Sequence, residues 1–134
     1  TPLFFVQNSV VNAIGTQVIG EPNVTVAYSI IYGRNTSEFN TEIINGGALN
    51  LDFSNCIIKT DQSLTDTSSF KDIIRNPADI IFNDVADNDY SLSENSIAKD
   101  TANITISNTV PNDILGNSRL GDGKPDLGAF EFIP

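Results

Sequence analysis

The sequence predicts an all-β fold in which short strands stack as a solenoid, whose successive turns are called rungs. The main observation is a phrase that occurs three times, at Phe4–Val11, Val24–Ile31 and Leu51–Ile58. Each copy has two apolar residues at period two, a bend residue, a small residue and a pair of aliphatic residues. The composition agrees, because Ile, Val, Thr, Ser and Asn are abundant while Met is absent and Lys and Leu are few, as in short strands joined by tight turns.

The three copies place their apolar residues in shared columns when they are aligned on the small residue. The first two columns are Phe4, Val24 and Leu51, then Val6, Val26 and Phe53. The column between them is mostly polar, which indicates strands with one buried and one solvated face. The copies begin 20 and then 27 residues apart, close to one turn of a β-helix. We expect the seven extra residues to lie in an excursion between Arg34 and Gly47.

The bend position is predicted to change which residues face the core. It holds Asn8, Tyr28 and Asn55. Asn tolerates left-handed backbone angles, and its amide can bond to the equivalent Asn one rung away, although Tyr28 interrupts such a ladder. Residues expected to stack inside after the bend are Ser9, Ser29 and Cys56, with Val11, Ile31 and Ile58. An apolar column then remains on the opposite face, at Val10, Ile30 and Ile57. A covering loop is the favoured explanation for this column, and a contact surface is the alternative.

The periodicity fails after residue 60. Ser69–Pro77 combines a Ser cap, an acidic residue three positions on and apolar residues at helical spacing, which predicts a single short helical turn. Beyond it, apolar triplets at 80–82 and 104–106 alternate with Asn, Asp and Gly turns. We therefore expect rungs over 1–60 and an irregular segment over 61–134 that caps the last rung, the two together forming one folding unit.

Charge and cysteine content exclude several classes of partner. Seven basic and seventeen acidic residues give a net charge of −10, which repels nucleic acid and anionic membrane surfaces. No apolar run is long enough for a membrane helix. The single cysteine, Cys56, excludes an internal disulfide and is expected to be a small buried residue. The strand pattern from Leu3 onward has no capping segment before it, so upstream rungs are expected.

Residues for catalysis are few. The chain has no histidine, which removes Ser-His-Asp and Cys-His systems and ordinary zinc sites. A pair of carboxylates for glycoside hydrolysis remains an alternative; Asp52, on the outer face of a rung, is the main candidate, against a solvated strand residue as the simpler interpretation. A lyase needs a cationic base, for which Arg34 and Lys59 are the candidates. We assign no catalytic residue.

Two further groups of residues suggest ligands. Asp84–Asp89 and Asp122–Asp126 contain enough carboxylates for calcium, although neither has the spacing of an EF-hand loop and both also fit plain turns. No cofactor is expected apart from calcium at these clusters. Three aromatic residues would stack on sugar rings if exposed, or fill the core if buried: Tyr28, Tyr32 and Phe39.

A two-part motif near the C-terminus connects the chain to a family. The first part is Asp113, Gly116 and Arg119, and the second is Asp126-Leu-Gly-Ala-Phe-Glu131. Together with 83–100, it resembles the end of bacterial right-handed parallel β-helix proteins of the choice-of-anchor Q type, related in fold to pectate lyases. The resemblance implies the last rungs of a secreted or lipid-anchored surface protein. It implies no single chemistry, since the fold carries lyases, hydrolases and non-catalytic adhesins alike.

Arg119 is the one strong cation among the acids of this motif, so we expect an Arg119–carboxylate pair that locks the capping segment in place. For function, we expect a non-catalytic portion of an extracellular or cell-surface protein that contacts polysaccharide. The alternative is the end of a polysaccharide lyase or glycoside hydrolase whose catalytic residues lie mainly upstream. A third interpretation is a partner-docking surface formed by Val10, Ile30 and Ile57.

Overall fold

The strands of the second and third copies of the repeat form the centre of the protein. The computed structural model describes residues 1–78 and 82–134. The strands are β1 (Phe4–Gln7), β2 (Ser9–Val11), β3 (Gln17–Ile19), β4 (Asn23–Ala27), β5 (Ile30–Ile31), β6 (Phe39–Glu42), β7 (Asn50–Ile58), β8 (Phe70–Arg75), β9 (Phe82–Asp84) and β10 (Asp89–Leu92). The helices in this part of the chain are two short 3₁₀ helices, Val85–Asp87 and Ile104–Asn108. The all-β class is therefore confirmed.

The central sheet is parallel and in register. Strands β4 and β5 both pair with β7, which pairs on its other side with β8. Val26 lies opposite Phe53, and Ile30 lies opposite Ile57, so the predicted alignment of the second and third copies is confirmed. The other sheets have two strands each: β1 with β6 in parallel, and β2 with β3 and β9 with β10 antiparallel.

The chain bends at the same position in each row of the central sheet, between β4 and β5, within β7 and within β8. The residue at each bend has left-handed backbone angles. Tyr28, Asn55 and Asp72 have φ angles of 53°, 52° and 52°, and the strand register aligns them. The alternation of residues between the two faces of the sheet therefore shifts by one position across this bend. Phe53 and Cys56, three positions apart, both lie in one core, and Ile57 lies in another. The bend predicted at Tyr28 and Asn55 is confirmed.

Aromatic rings fill the core on the inner side of the central sheet. It contains four phenylalanines, Phe4, Phe39, Phe53 and Phe70. Their ring centroids lie 5.1 to 6.1 Å apart, within the range of favourable edge-on and tilted contacts. Phe39 and Phe53 are fully buried, and Cys56 lies beside them as a buried free thiol.

The opposite face of the central sheet is covered by residues from 82–134, which we call the C-terminal segment. Ile57 is fully buried there against Leu92, Ala98 and Leu127. Ile30 and Ile74 pack at the edge of this second core. The favoured explanation for this apolar column, a covering segment, is confirmed at these positions, whereas Val10 is 60% exposed and belongs to neither core.

The first copy of the repeat departs from the predicted alignment. Strand β1 pairs with β6 rather than with β4, so the segment between Arg34 and Gly47 contains a strand in place of a simple excursion. Strand β2 forms a hairpin with β3, which leaves Val11 69% exposed instead of inside. The cause lies at Asn8, whose buried side chain accepts a hydrogen bond from the Ile44 amide at 2.7 Å and donates one to the Ile44 carbonyl at 3.0 Å.

The helical turn predicted at Ser69–Pro77 is wrong, because this segment contains strand β8. The left-handed bend at Asp72 explains the error. It places Phe70 and Ile73 against the inner core and Ile74 against the outer core, so a bent strand reproduces the apolar spacing of a helix. The central sheet thus extends beyond residue 60, the predicted end of the rungs.

Two of the bend residues, Tyr28 and Asn55, bind the C-terminal segment through their side chains, and Asn8 binds Ile44, so none of them uses its side chain for the equivalent residue one rung away. Asn55 Oδ1 accepts a hydrogen bond from the Asn103 amide at 2.6 Å. The Tyr28 hydroxyl lies 2.8 Å from Thr105 Oγ1. In the described residues, no backbone hydrogen bond joins the C-terminal segment to β8, so the contacts of that segment lie on the sheet's face rather than on its last edge.

Of the apolar triplet at 80–82, residues 80 and 81 lie outside the described residues, and Phe82 begins β9. None of the helices that the structure describes has the length and apolar character needed to cross a bilayer.

Removal of a central ring should destabilise the inner core. We expect Phe53→Ala to lower the free energy of unfolding by about 3 to 5 kcal/mol, because the cavity left behind cannot fully collapse. Phe5→Ala is the matched control, since Phe5 is 49% exposed and its loss should cost below about 1 kcal/mol. Urea denaturation measures both, and equal losses would contradict this description of the core.

Candidate functional site

The residues of the C-terminal motif gather in one buried polar cluster. Arg119 is 3% exposed, and its Nη1 donates a hydrogen bond of 2.6 Å to Glu131 Oε1. Arg119 also donates to the carbonyls of Asp126 and Gly128, at 3.1 and 2.8 Å. The predicted Arg119–carboxylate pair is therefore present, and Glu131 is its partner.

The two aspartates of the motif are occupied by backbone amides. Asp126 accepts hydrogen bonds from the amides of Asp100 and Phe132, both at 2.6 Å. Asp113 accepts from the Leu115, Asn117 and Glu131 amides and from the Asn117 side chain. These bonds join distant parts of the C-terminal segment to one another.

Gly128 connects this cluster to the central sheet. Its amide donates to the Tyr28 carbonyl at 3.1 Å, and a Cβ at this position would lie 2.8 Å from Ile30 Cδ1. Its φ of +96° is also in the left-handed region, where residues other than glycine are strained. The motif therefore acts as a structural lock between the C-terminal segment and the sheet.

Burial and hydrogen bonding together shift the pKa values of the three carboxyl groups in the cluster. Burial raises the pKa of Glu131 to about 7, and the Asp126 charge acts in the same direction, whereas the Asp126 amide and Arg119 offset the shift only in part. Burial also raises the pKa of Asp126. At Asp113 burial again opposes ionisation, but the four hydrogen bonds outweigh it and hold the pKa below its ordinary value.

The candidate catalytic acid lies in an ion pair. Asp52 Oδ1 is 3.0 Å from Lys71 Nζ, and each side chain is 50% exposed. This arrangement fits the interpretation of Asp52 as a solvated strand residue. Lys59, a candidate base, donates a 2.7 Å hydrogen bond to the Gly33 carbonyl and lies 4.9 Å from the centre of the Tyr32 ring.

The carboxylates of the predicted calcium clusters bind the protein's own amides. Asp84 accepts from the Ala86 and Asp87 amides, and Asp122 accepts from the Lys124 amide. Within residues 1–78 and 82–134, no group of three or more acidic, cysteine or histidine side chains is arranged to hold a metal ion. Calcium binding stays a prediction.

The strongest candidate for ligand binding is a cavity of about 700 Å³ beside the central sheet. Its aromatic lining consists of Tyr32, which follows β5, and of Phe82 and Tyr90 in the β9–β10 hairpin. Arg34 is the one charged side chain among the described lining residues. We call this cavity the Arg34 cavity.

The wall of the Arg34 cavity is held in place by a buried carboxylate. Glu38 is 2% exposed and accepts hydrogen bonds from the Leu3 amide at 3.2 Å and the Asn35 amide at 2.8 Å. A Cβ at Gly33 would overlap the Glu38 carboxylate, so only glycine fits there. Lys59 binds the same loop through the Gly33 carbonyl, which leaves Arg34 on a rigid support.

A second cavity, of about 430 Å³, adjoins the first. Both are lined by Phe82 and Tyr90, whose rings meet edge to face with centroids 5.5 Å apart. The second cavity is also lined by Tyr28, Ala129 and Phe130, and none of its described lining residues is charged. We call it the neutral cavity.

The aromatic candidates from the sequence divide between core and cavities. Phe39 is in the inner core and is 1% exposed, while Tyr32 and Tyr28 line the Arg34 and neutral cavities respectively. Sequence reasoning missed Phe82 and Tyr90. Their signal was an Asn/Asp-rich run at 83–89 with apolar residues on both sides, which predicts a hairpin but not the loop against which it packs.

Comparisons with known proteins give no relative: no family model matches the chain, and neither a curated protein nor a solved structure is significantly similar to it.

Loss of the buried cation should loosen the C-terminal segment. We expect Arg119→Met to cost about 3 to 5 kcal/mol of unfolding free energy, because Glu131 and two carbonyls lose their donor in a buried site. Lys124→Met is the control, since Lys124 is 69% exposed and lies 4.0 Å from Asp100, where a pair is worth below about 1 kcal/mol. Urea denaturation measures both. A loss for Arg119→Met no larger than the control's would rule out the lock.

The Glu131 carboxyl should make the protein more stable in mild acid. With its pKa raised from 4.5 to about 7, folded Glu131 keeps its proton where the unfolded chain has lost it. This contribution is fully present below pH 4.5 and is lost as the pH rises through about 7. The Glu131→Gln variant, which cannot titrate, should show a flatter fall in melting temperature between pH 5 and 7. Parallel profiles of the two proteins would contradict the assignment.

Proposed function

We propose that this chain is a polysaccharide-binding, non-catalytic portion of a secreted or cell-surface bacterial protein, and that it binds sugar through the Arg34 cavity and the neutral cavity. The observation that carries the proposal is the edge-to-face pair of half-buried Phe82 and exposed Tyr90, which forms a ridge between two cavities. Sugar rings have apolar faces that pack on aromatic side chains, while their hydroxyl groups bond to the polar rim.

The charges of the cavities favour binding over hydrolysis. Hydrolysis of a glycosidic bond needs two carboxyl groups roughly 5 to 10 Å apart. The described lining residues of both cavities include no carboxylate, and Asp52 is engaged with Lys71. The alternative, the end of a polysaccharide lyase or glycoside hydrolase with its catalytic residues upstream, would show itself as cleavage of the bound polymer.

The architecture supports a right-handed parallel β-helix of the choice-of-anchor Q type as the setting of this site. Three lines of parallel strands run in register with their bends aligned, which is the arrangement of successive rungs. The residues of the C-terminal motif that carry the resemblance also form the lock between the C-terminal segment and the sheet. Upstream rungs and an anchor outside the cell are part of the same proposal.

Tyr90→Ala should weaken polysaccharide binding. Burial of an aromatic face is worth about 1.5 kcal/mol or more, so the dissociation constant should rise about tenfold. Affinity electrophoresis in gels that contain xylan, β-glucan, alginate or polygalacturonate measures the retardation, and product assays on the same polymers detect cleavage.

Two variants control for this change. Tyr90→Phe keeps the ring and should bind nearly as the unaltered protein does, and Phe5→Ala removes an exposed ring outside both cavities. Retardation of the unaltered protein by none of the polymers would reject the proposal, and new reducing or unsaturated ends would favour the enzyme instead.

A further inference from the structure

The two cavities differ in charge although they share a wall. The Arg34 cavity contains one cationic side chain among its described lining residues, and the neutral cavity contains none of either sign. Their volumes, about 700 and about 430 Å³, both lie in the usual range for small-molecule pockets. A ligand that crosses the Tyr90 ridge therefore meets two environments in succession.

Arg34 stands apart from the other cations of this chain. Six of the seven Lys and Arg side chains have a protein partner: three form salt bridges, Lys59 and Arg75 donate to carbonyls, and Lys99 lies over the Phe132 ring. Among the described residues, Arg34 alone has no ion pair, no side-chain hydrogen bond and no contact with an aromatic ring. Arg34 is exposed on a loop held by Glu38 and Lys59, and its guanidinium carries five hydrogen-bond donors.

We propose that the ligand is a heteropolysaccharide in which an acidic sugar alternates with a neutral one, the acidic unit lying in the Arg34 cavity and the neutral unit in the neutral cavity. This inference rests on the proposed function and specifies its ligand. A guanidinium binds a carboxylate through two parallel hydrogen bonds. The neutral cavity disfavours a second carboxylate, because a charge placed there loses water and gains no counter-ion.

The overall charge of −10 does not prevent binding of an acidic polymer. At physiological ionic strength the Debye length is about 8 Å, so exposed acids farther away are largely screened. The contact between Arg34 and a carboxylate is direct and persists. A polymer with a charge on alternate units also carries half the charge density of a uniform polyuronate and is repelled less.

Titration calorimetry with three tetrasaccharides tests the order of affinity. The ligands are an alternating glucuronate–N-acetylglucosamine tetrasaccharide, a tetragalacturonate and neutral xylotetraose. We expect the alternating ligand to bind most tightly, at least about tenfold better than xylotetraose, with tetragalacturonate between them. Xylotetraose or tetragalacturonate binding as tightly as the alternating ligand would overturn the inference and leave the proposed function standing. No binding by any of the three would reject both.

Two variants test which sugar unit lies in which cavity. Arg34→Gln should weaken binding of the alternating ligand about tenfold and leave the affinity for xylotetraose unchanged. The matched control Lys124→Gln removes the same charge and should change neither affinity. Ala129→Trp fills the neutral cavity from an exposed position and should remove the advantage of the alternating tetrasaccharide over glucuronate alone. An unchanged affinity in Arg34→Gln, or an undiminished advantage in Ala129→Trp with its melting temperature intact, would overturn the assignment.

Discussion

The left-handed bend shared by Tyr28, Asn55 and Asp72 is the constraint on which the rest of the structure depends. A continuous strand would send alternate residues to a single core and leave the other face to solvent. The bend shifts this alternation by one residue, so the chain buries Phe53 and Cys56 on one side and Ile57 on the other. The second apolar face that results must be covered, and the C-terminal segment covers it.

The bend has a cost that the covering segment offsets. Positive φ is tolerated by Asn and Asp but is strained for a bulky residue such as Tyr28. Tyr28 also contacts the C-terminal segment twice, through its hydroxyl to Thr105 and its carbonyl to the Gly128 amide. Gly128 in turn provides a carbonyl to Arg119. Strain at the bend, the sheet and the buried ion pair are therefore parts of one connected arrangement.

Sequence patterns predicted the parts of this arrangement that are local. The second and third copies aligned correctly because both carry the bend residue at the same distance from their apolar columns. The lock followed from one arginine among several acids. The predicted alignment of the first copy was wrong because Asn8 uses its side chain to bind Ile44, and the repeat pattern does not encode this contact. The helical turn predicted in place of β8 was wrong because a bent strand and a helix place apolar residues at the same spacing.

The two cavities were beyond sequence reasoning for a physical reason. Their walls come from the loop after β5 and from the β9–β10 hairpin, which are about fifty residues apart in the chain and meet only because Phe82 packs on the outer core beside Tyr32 and Ile74. The same docking that covers the apolar column of the sheet thus forms the two cavities. A C-terminal segment that serves only to protect the sheet would have no need of the rigid Gly33 loop or of an exposed arginine at position 34. The proposed recognition of a ligand therefore rests on features that covering the sheet does not explain.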